Sequence, residues 1–259
     1  MQTLDPEVLA LLAQEFIADA GQGIARMRQQ LHATLGGADD EFRSNYELLA
    51  GLHHEVHKIK GTAGLCGFPS LTNMAGHFEA YLTAADGLAD AKQLQQFINI
   101  LGLLLTLEDA RGAIIGQAAL DCLPTSPGHP ADSVIGSHEA VAVIASHDAD
   151  FSTRMCQYLG NMGIAAWAAC ETATVLRQVV NGAPAMVFVP MSFGGMSGVD
   201  FMRLLLAVGT VDGPALALFS NLDVGHADLV MLPEKAAVIP LGGEVHAGLQ
   251  AFVRQIQMP

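Results

Sequence analysis

Apolar residues recur every three or four positions through the first part of the chain, a spacing that predicts a series of amphipathic helices. Leu9, Leu12, Phe16, Ala20, Ile24, Met27 and Leu31 mark one face of a first helix. Asp5-Pro6 supplies its capping side chain and a proline at the first helical position, and Gly36-Gly37 ends it. A second helix starts near Asp39 or Asp40 and turns Leu48, Leu52, Val56, Ile59 and Ala63 inward. Phe68-Pro69 opens a third, with Leu71, Met74, Phe78 and Leu82 on its buried side. A fourth follows Asp86-Gly87 and carries Leu94, Phe97, Ile98, Leu101, Leu104, Leu105 and Leu107. Four such helices joined by short turns predict an all-α up-and-down four-helix bundle over residues 1–115.

Residues 116–138 lose this periodicity and gather Pro124, Ser126, Pro127, Gly128, Pro130 and Gly136, the composition of a linker. From 139 to 259 the pattern changes to short apolar runs at Val141–Ala145, Ile164–Ala168, Ala185–Val189, Ala215–Phe219 and Ala236–Ile239. Helical patterns alternate with them: one around Met155 and Leu159, then 171–181, 197–208, 223–230 and 243–257. Five strands alternating with helices predict an α/β domain with a doubly wound, five-stranded parallel sheet.

Half of the residues are apolar and 15% are charged, so the composition fills two cores and argues against disorder. The net charge of −14 is spread evenly, with 14 acids and 7 bases in 1–115 and 12 acids and 5 bases in 116–259. No basic stripe exists to hold nucleic acid or an anionic membrane. Cys66, Cys122, Cys156 and Cys170 are scattered and read as reduced thiols. With no signal segment at Asp5-Pro6-Glu7 and an apolar stretch at Phe97–Leu107 too short to span a bilayer, a cytoplasmic location is expected.

The chemistry concentrates at residues 57–68, HKIKGTAGLCGF. On a helix, His57, Lys60, Gly61 and Gly64 share one side with His53, one residue off the buried stripe. Glycine inside a helix costs about 1 kcal/mol relative to alanine. Two of them beside an exposed imidazole and a cation leave a nucleophile open to something large. If His57 attacks phosphorus, one ring nitrogen must be free while a carboxylate holds the proton on the other. Lys60 would offset the added charge, and His53, Gly61 and Gly64 would form the docking face.

The pattern HxxKGxxxxxG resembles the phosphorylation site of histidine-phosphotransfer (HPt) domains, the string HKIKGTAGLCGF is especially similar to the first domain of CheA-type chemotaxis kinases, and the resemblance covers roughly residues 5–115. The resemblance implies that Glu79, on the third helix, hydrogen-bonds the phosphoacceptor His57. A metal site at His53, His54 and His57 around Glu55 is the competing reading. It lacks a third ligand, and HExxH fails at Lys58. The GxG at Gly21–Gly23 follows no strand and is no dinucleotide fingerprint.

The order of elements after residue 139 resembles the receiver domain of response regulators, but not its chemistry. The positions of a receiver's Mg²⁺-holding acids fall on Ser146 and His147, with Asp148 and Asp150 nearby. The phosphoacceptor position falls on Pro190, the switch hydroxyl on Phe219 or Ser220, and the usual lysine-proline near Pro240-Leu241. A pseudo-receiver is expected, whose task would be homodimerisation, kinase docking or shielding of His57. The whole reads as a phosphorelay carrier without a kinase nucleotide motif. It would take a phosphoryl group from a sensor histidine kinase or its receiver and pass it to a response-regulator aspartate. It would need no cofactor of its own, the Mg²⁺ being the partner's. The alternative is a non-relaying scaffold or phosphate sink.

Overall fold

A computed structural model describes residues 6–35, 41–85, 89–107, 109–127, 142–182, 184–209, 213–222 and 225–257. Asp5, Gly36-Gly37, the start at Asp39 or Asp40, Asp86-Gly87, Val141 and linker positions 128–138 lie outside the described residues. The chain divides into two compact units, Met1–Ser133 and Val134–Pro259.

The first unit is helical: α1 (Pro6–Leu35), α2 (Glu41–Leu65), α3 (Pro69–Ala85), α4 (Ala91–Leu105) and α5 (Asp109–Leu120). Helices α1 and α2 touch, as do α2 and α3, α3 and α4, and α1 and α4, which closes a ring around one core. The expected stripes of α2 and α3 are buried throughout, as is α1 from Phe16 to Leu31. Leu12, expected inside, is exposed together with Val8 and Leu11, whereas Leu105 is half-buried. At the centre Phe78 stacks on Phe97 with centroids 4.6 Å apart, and Tyr81 lies against the same ring at 5.1 Å. Full burial of each such side chain stabilises the fold by about 1.5–3 kcal/mol. The Tyr81 hydroxyl is satisfied by donating to Gln93 Oε1 at 2.6 Å and accepting from the Asp90 N–H at 3.3 Å.

Helix α5 was not expected, and it takes in residues 116–120 from the stretch that reads as linker. Its glycines conceal it, because Gly112 and Gly116 weaken a helical reading. They bring α5 close to α3: a Cβ on Gly116 would sit 3.4 Å from Ser70 Cβ. The segment beyond stays packed, with Cys122, Leu123 and Pro124 buried.

The second unit runs β1 (Ala142–Ala145), α6 (Ala149–Asn161), β2 (Ala166–Ala169), α7 (Thr172–Gly182), β3 (Met186–Pro190), β4 (Ser192–Phe193), β5 (Met196–Ser197), α8 (Gly198–Val208), β6 (Ala215–Ser220), a 3₁₀ turn (Ala227–Leu229), β7 (Ala237–Pro240) and α9 (Val245–Gln257). Five strands form one parallel sheet in the order β2-β1-β3-β6-β7, with Ala142 opposite both Ala166 and Met186. Met155 and Leu159 of α6, with Leu249, Phe252 and Val253 of α9, cover the face bearing Ile144, Phe188, Phe219 and Ile239. Helices α7 and α8 touch each other and also pack against strands of the sheet.

Two local differences from the sequence pattern have clear causes. A helix over 223–230 is reduced among the described residues to the single turn Ala227–Leu229, where the His226 ring accepts the Asp228 N–H at 3.2 Å and Pro233 follows. The segment after β3, between the apolar run Ala185–Val189 and the helical pattern 197–208, is a hairpin of β4 and β5 around Gly194 and Gly195. Both glycines have positive φ, 60° and 80°, the geometry that a two-residue hairpin turn demands.

Candidate functional site

Helix α2 places His57 by simple rotation. Val56 and Ile59 point into the core, and His57, one residue after Val56, swings out so that 72% of its side chain is exposed. On α3 the same logic acts in reverse. Phe78 is fully buried, and Glu79, one residue on, sits at the rim facing α2 with its side chain only 16% exposed.

Their side chains meet. His57 Nδ1 lies 2.7 Å from Glu79 Oε1, and Lys60 Nζ donates to Glu79 Oε2 at 2.6 Å. A carboxylate accepts hydrogen bonds, so the proton of the neutral imidazole resides on Nδ1 and the lone pair on Nε2. The Lys60 ammonium, and after it the hydrogen bond from His57, hold the Glu79 carboxyl below its ordinary range, and partial burial opposes them. Glu79 is therefore a carboxylate at neutral pH. It anchors the ring, makes it a better nucleophile and leaves Nε2 free.

The glycines fall into two kinds. A Cβ on Gly61 would meet nothing within 4 Å, so no neighbour requires a glycine there; its absence keeps the surface beside His57 low. At Gly64 a Cβ would make only ordinary contact with Thr72, 3.7 Å away. Gly67, the last glycine of HxxKGxxxxxG, has a different task. With φ of 83° it ends α2, and the Phe68 N–H returns to the Ala63 carbonyl at 2.9 Å in a Schellman turn. A residue that sequence reasoning missed is Gly76, where a Cβ would lie 3.7 Å from Lys60 Cε, so the lysine stem passes over a flat stretch of α3. No local pattern signals it, because the contact joins two helices.

Residues 11–113 match the family model of the Hpt domain. That stretch, less than half of the chain, contains His57, Lys60, Gly61, Gly64 and Glu79. Neither the curated proteins nor the solved structures yield a match to the chain.

Around His57 and Glu79, the other charged groups are engaged elsewhere. Glu55 forms a bidentate pair with Arg26 at 2.8 and 2.9 Å, which lowers its pKa, and Lys58 pairs with Asp19 at 2.7 Å. Both pairs join α2 to α1, so the Glu55 carboxylate is occupied away from the histidines. Among the described residues no group of three or more His, Cys, Asp or Glu side chains is placed to hold a metal ion. His53, one turn before His57, stacks its ring nearly parallel to it at 6.3 Å, with Nε2 3.9 Å from Glu79 Oε1. Among the described residues no helix is long and apolar enough to cross a membrane.

The carboxyl ends of the strands in the second unit present different chemistry. Ser146 is buried and its Oγ accepts the Asp148 N–H at 3.1 Å. Asp148 caps α6 by accepting the Phe151 N–H at 2.9 Å, so its carboxylate is committed to a helix end. His147 stacks on Phe193 of the hairpin at 4.8 Å. Pro190 closes β3, and the Ser220 hydroxyl accepts the Leu222 N–H at 3.0 Å.

Proposed function

We propose that the chain is a histidine phosphocarrier of a two-component relay and that His57 is its acceptor. The observation that carries the reading is the bond from His57 Nδ1 to Glu79 Oε1 at 2.7 Å on a ring that is 72% exposed. A nucleophile oriented from behind and open in front is suited to a phosphoryl group that arrives on another protein. Nε2 attacks phosphorus, the N–P bond forms, and the P–O bond to the donor breaks. The donor is a kinase-borne phosphohistidine, where a P–N bond breaks instead, or the aspartyl phosphate of a receiver. The reverse attack by a response-regulator aspartate returns the ring to its starting state. Catalysis of each transfer belongs to the partner, whose Mg²⁺ and lysine gather the phosphoryl oxygens.

In this reading α1–α4 are the up-and-down four-helix bundle of an Hpt domain and α5 is an added helix. His53, Gly61 and Gly64 form the docking face, and Lys60 tempers the charge of Glu79 in the resting state and of the phosphoryl group afterwards. The second unit is a pseudo-receiver. Its strand order is that of the flavodoxin-like doubly wound sheet, and proline stands where an acceptor would be. Partners are sensor histidine kinases and response-regulator receivers in the cytoplasm, and the second unit is a candidate homodimerisation module.

The test is phosphoryl transfer from a panel of phosphorylated receivers and autophosphorylated kinases to the full chain and to His57→Gln. Label on the parent alone, chased onto a response regulator, is the expected result. Label that cannot be chased supports the phosphate sink, and no label from any donor supports a scaffold.

A further inference from the structure

We infer that His53 is a positioning residue for His57: in its protonated form it competes for the Glu79 oxygen that otherwise holds the His57 ring. This rests on the reading of His57 as the acceptor. The argument begins with a shared atom. Glu79 Oε1 accepts from His57 Nδ1 at 2.7 Å and also lies 3.9 Å from His53 Nε2. The two rings are within 7° of parallel, one helical turn apart on α2.

At 3.9 Å a neutral His53 makes no hydrogen bond to Glu79. A protonated ring donates from both nitrogens, and a shift of about 1 Å brings Nε2–H into hydrogen-bond range. The side chain is 44% exposed, so neither burial nor packing prevents proton exchange or this small movement. The charged and titratable groups around it are His57 and Lys60 on its own helix and Glu79 on α3. Lys60 already occupies Oε2, so a second cation acts at Oε1. On the α1 side, Asp19–Lys58 and Arg26–Glu55 neutralise one another.

Two states follow. With His53 neutral, Oε1 serves His57 alone, the ring is held with Nε2 outward, and that nitrogen is a good nucleophile. One proton taken from solvent onto His53 draws Oε1 toward the new cation. Oε1 then accepts from both rings, the His57 bond is shared and weakened, and the ring loses part of the charge that raises its reactivity. Transfer thus depends on the charge carried by His53 as well as on the state of the His57 ring.

The experiment uses the full chain as wild type, His53→Gln and His53→Lys. Ring-nitrogen NMR across the pH range reads the population of His57 carrying its proton on Nδ1. In parallel, the initial rate of labelling at His57 is followed with phosphoramidate, a small donor that needs no docking face. In the wild type the acid limb should be steeper than one proton can produce, and His53→Gln should reduce it to a single-proton slope. At the foot of that limb the glutamine variant should label faster by roughly two- to fivefold, the scale of a partly exposed charge interaction. His53→Lys should be slowed by a similar factor at neutral pH, where its cation persists. Superimposable curves for wild type and His53→Gln overturn the inference while leaving His57 as acceptor. Label that survives His57→Gln overturns the reading beneath it.

Discussion

The rim of α2 and α3 and the strand ends of the parallel sheet differ most in where their polar groups point. At the helical rim Glu79 is turned toward a partner side chain, and His57 keeps one nitrogen for solvent. At the strand ends the polar groups satisfy their own backbone: Ser146 and Asp148 close the start of α6, and Ser220 closes the turn after β6. His147 lies flat on Phe193. A group that caps a backbone contributes to stability and has its direction set by that backbone rather than by a ligand. The lesson is that polar residues at a promising end of a fold are not a site until one of them is turned toward another side chain with a free atom facing solvent.

That contrast can be broken in several ways. The largest expected effect is that of His57→Gln, which should remove phosphoryl transfer altogether. Its thermal unfolding should be unchanged, because the side chain is mostly exposed. Unfolding of the variant would show instead that the histidine is structural. Gly61→Leu should cut transfer from protein donors by at least about tenfold while labelling by phosphoramidate stays normal, because the open space at Gly61 matters only to a bulky partner. Equal loss with both donors would mean that the leucine disturbs the ring and not the docking.

Glu79→Gln comes next. It should slow labelling at His57 by about ten- to a hundredfold, the cost of a misplaced reacting group, and it should also flatten the acid limb of stability. The sign is fixed by the depressed pKa of Glu79. Its favourable contacts are fully present above the ordinary carboxylate range and are lost as pH falls through the lowered folded value. The stability involved is under about 1 kcal/mol for such a rim pair, and a urea titration series in mild acid would measure it. The smallest effect is expected from Pro190→Asp. An aspartate at the end of β3 should remain unlabelled by acetyl phosphate with Mg²⁺, because Ser146 and His147 offer no carboxylate for the metal. Labelling there would erase the contrast between the two units.

Much of this was legible along the chain because it depends on local rotation. Val56 and His57, or Phe78 and Glu79, are assigned to core and rim by the helical period alone, and the strands follow from short apolar runs between helices. The pairing of His57 with Glu79 could be suggested only by resemblance, since the period of one helix cannot say which residue of another faces it. Contacts across helices stayed hidden for the same reason. Gly76 under Lys60 and Gly116 beside Ser70 carry no local signal, and each gives a side chain of a neighbouring helix room. The hairpin at Gly194-Gly195 was hidden by its size, two residues on each arm. Leu12 misled in the opposite sense: its position in the apolar period is right, but α1 leaves it exposed.

The Schellman turn at Gly67 carries a consequence for chain length. Three residues, Cys66 to Phe68, separate the end of α2 at Leu65 from the start of α3 at Pro69, and Phe68, tied to the Ala63 carbonyl, also rests on Phe16. The turn therefore sets the phase of α3 relative to α2. One residue gained or lost between the Phe68 tie and Glu79 would rotate the rest of α3 by about 100°. The carboxylate would then swing away from the imidazole and Phe78 would leave the core. The meeting of His57 and Glu79 is timed by a count of residues, and a single-residue deletion on α3 would part them without altering either side chain.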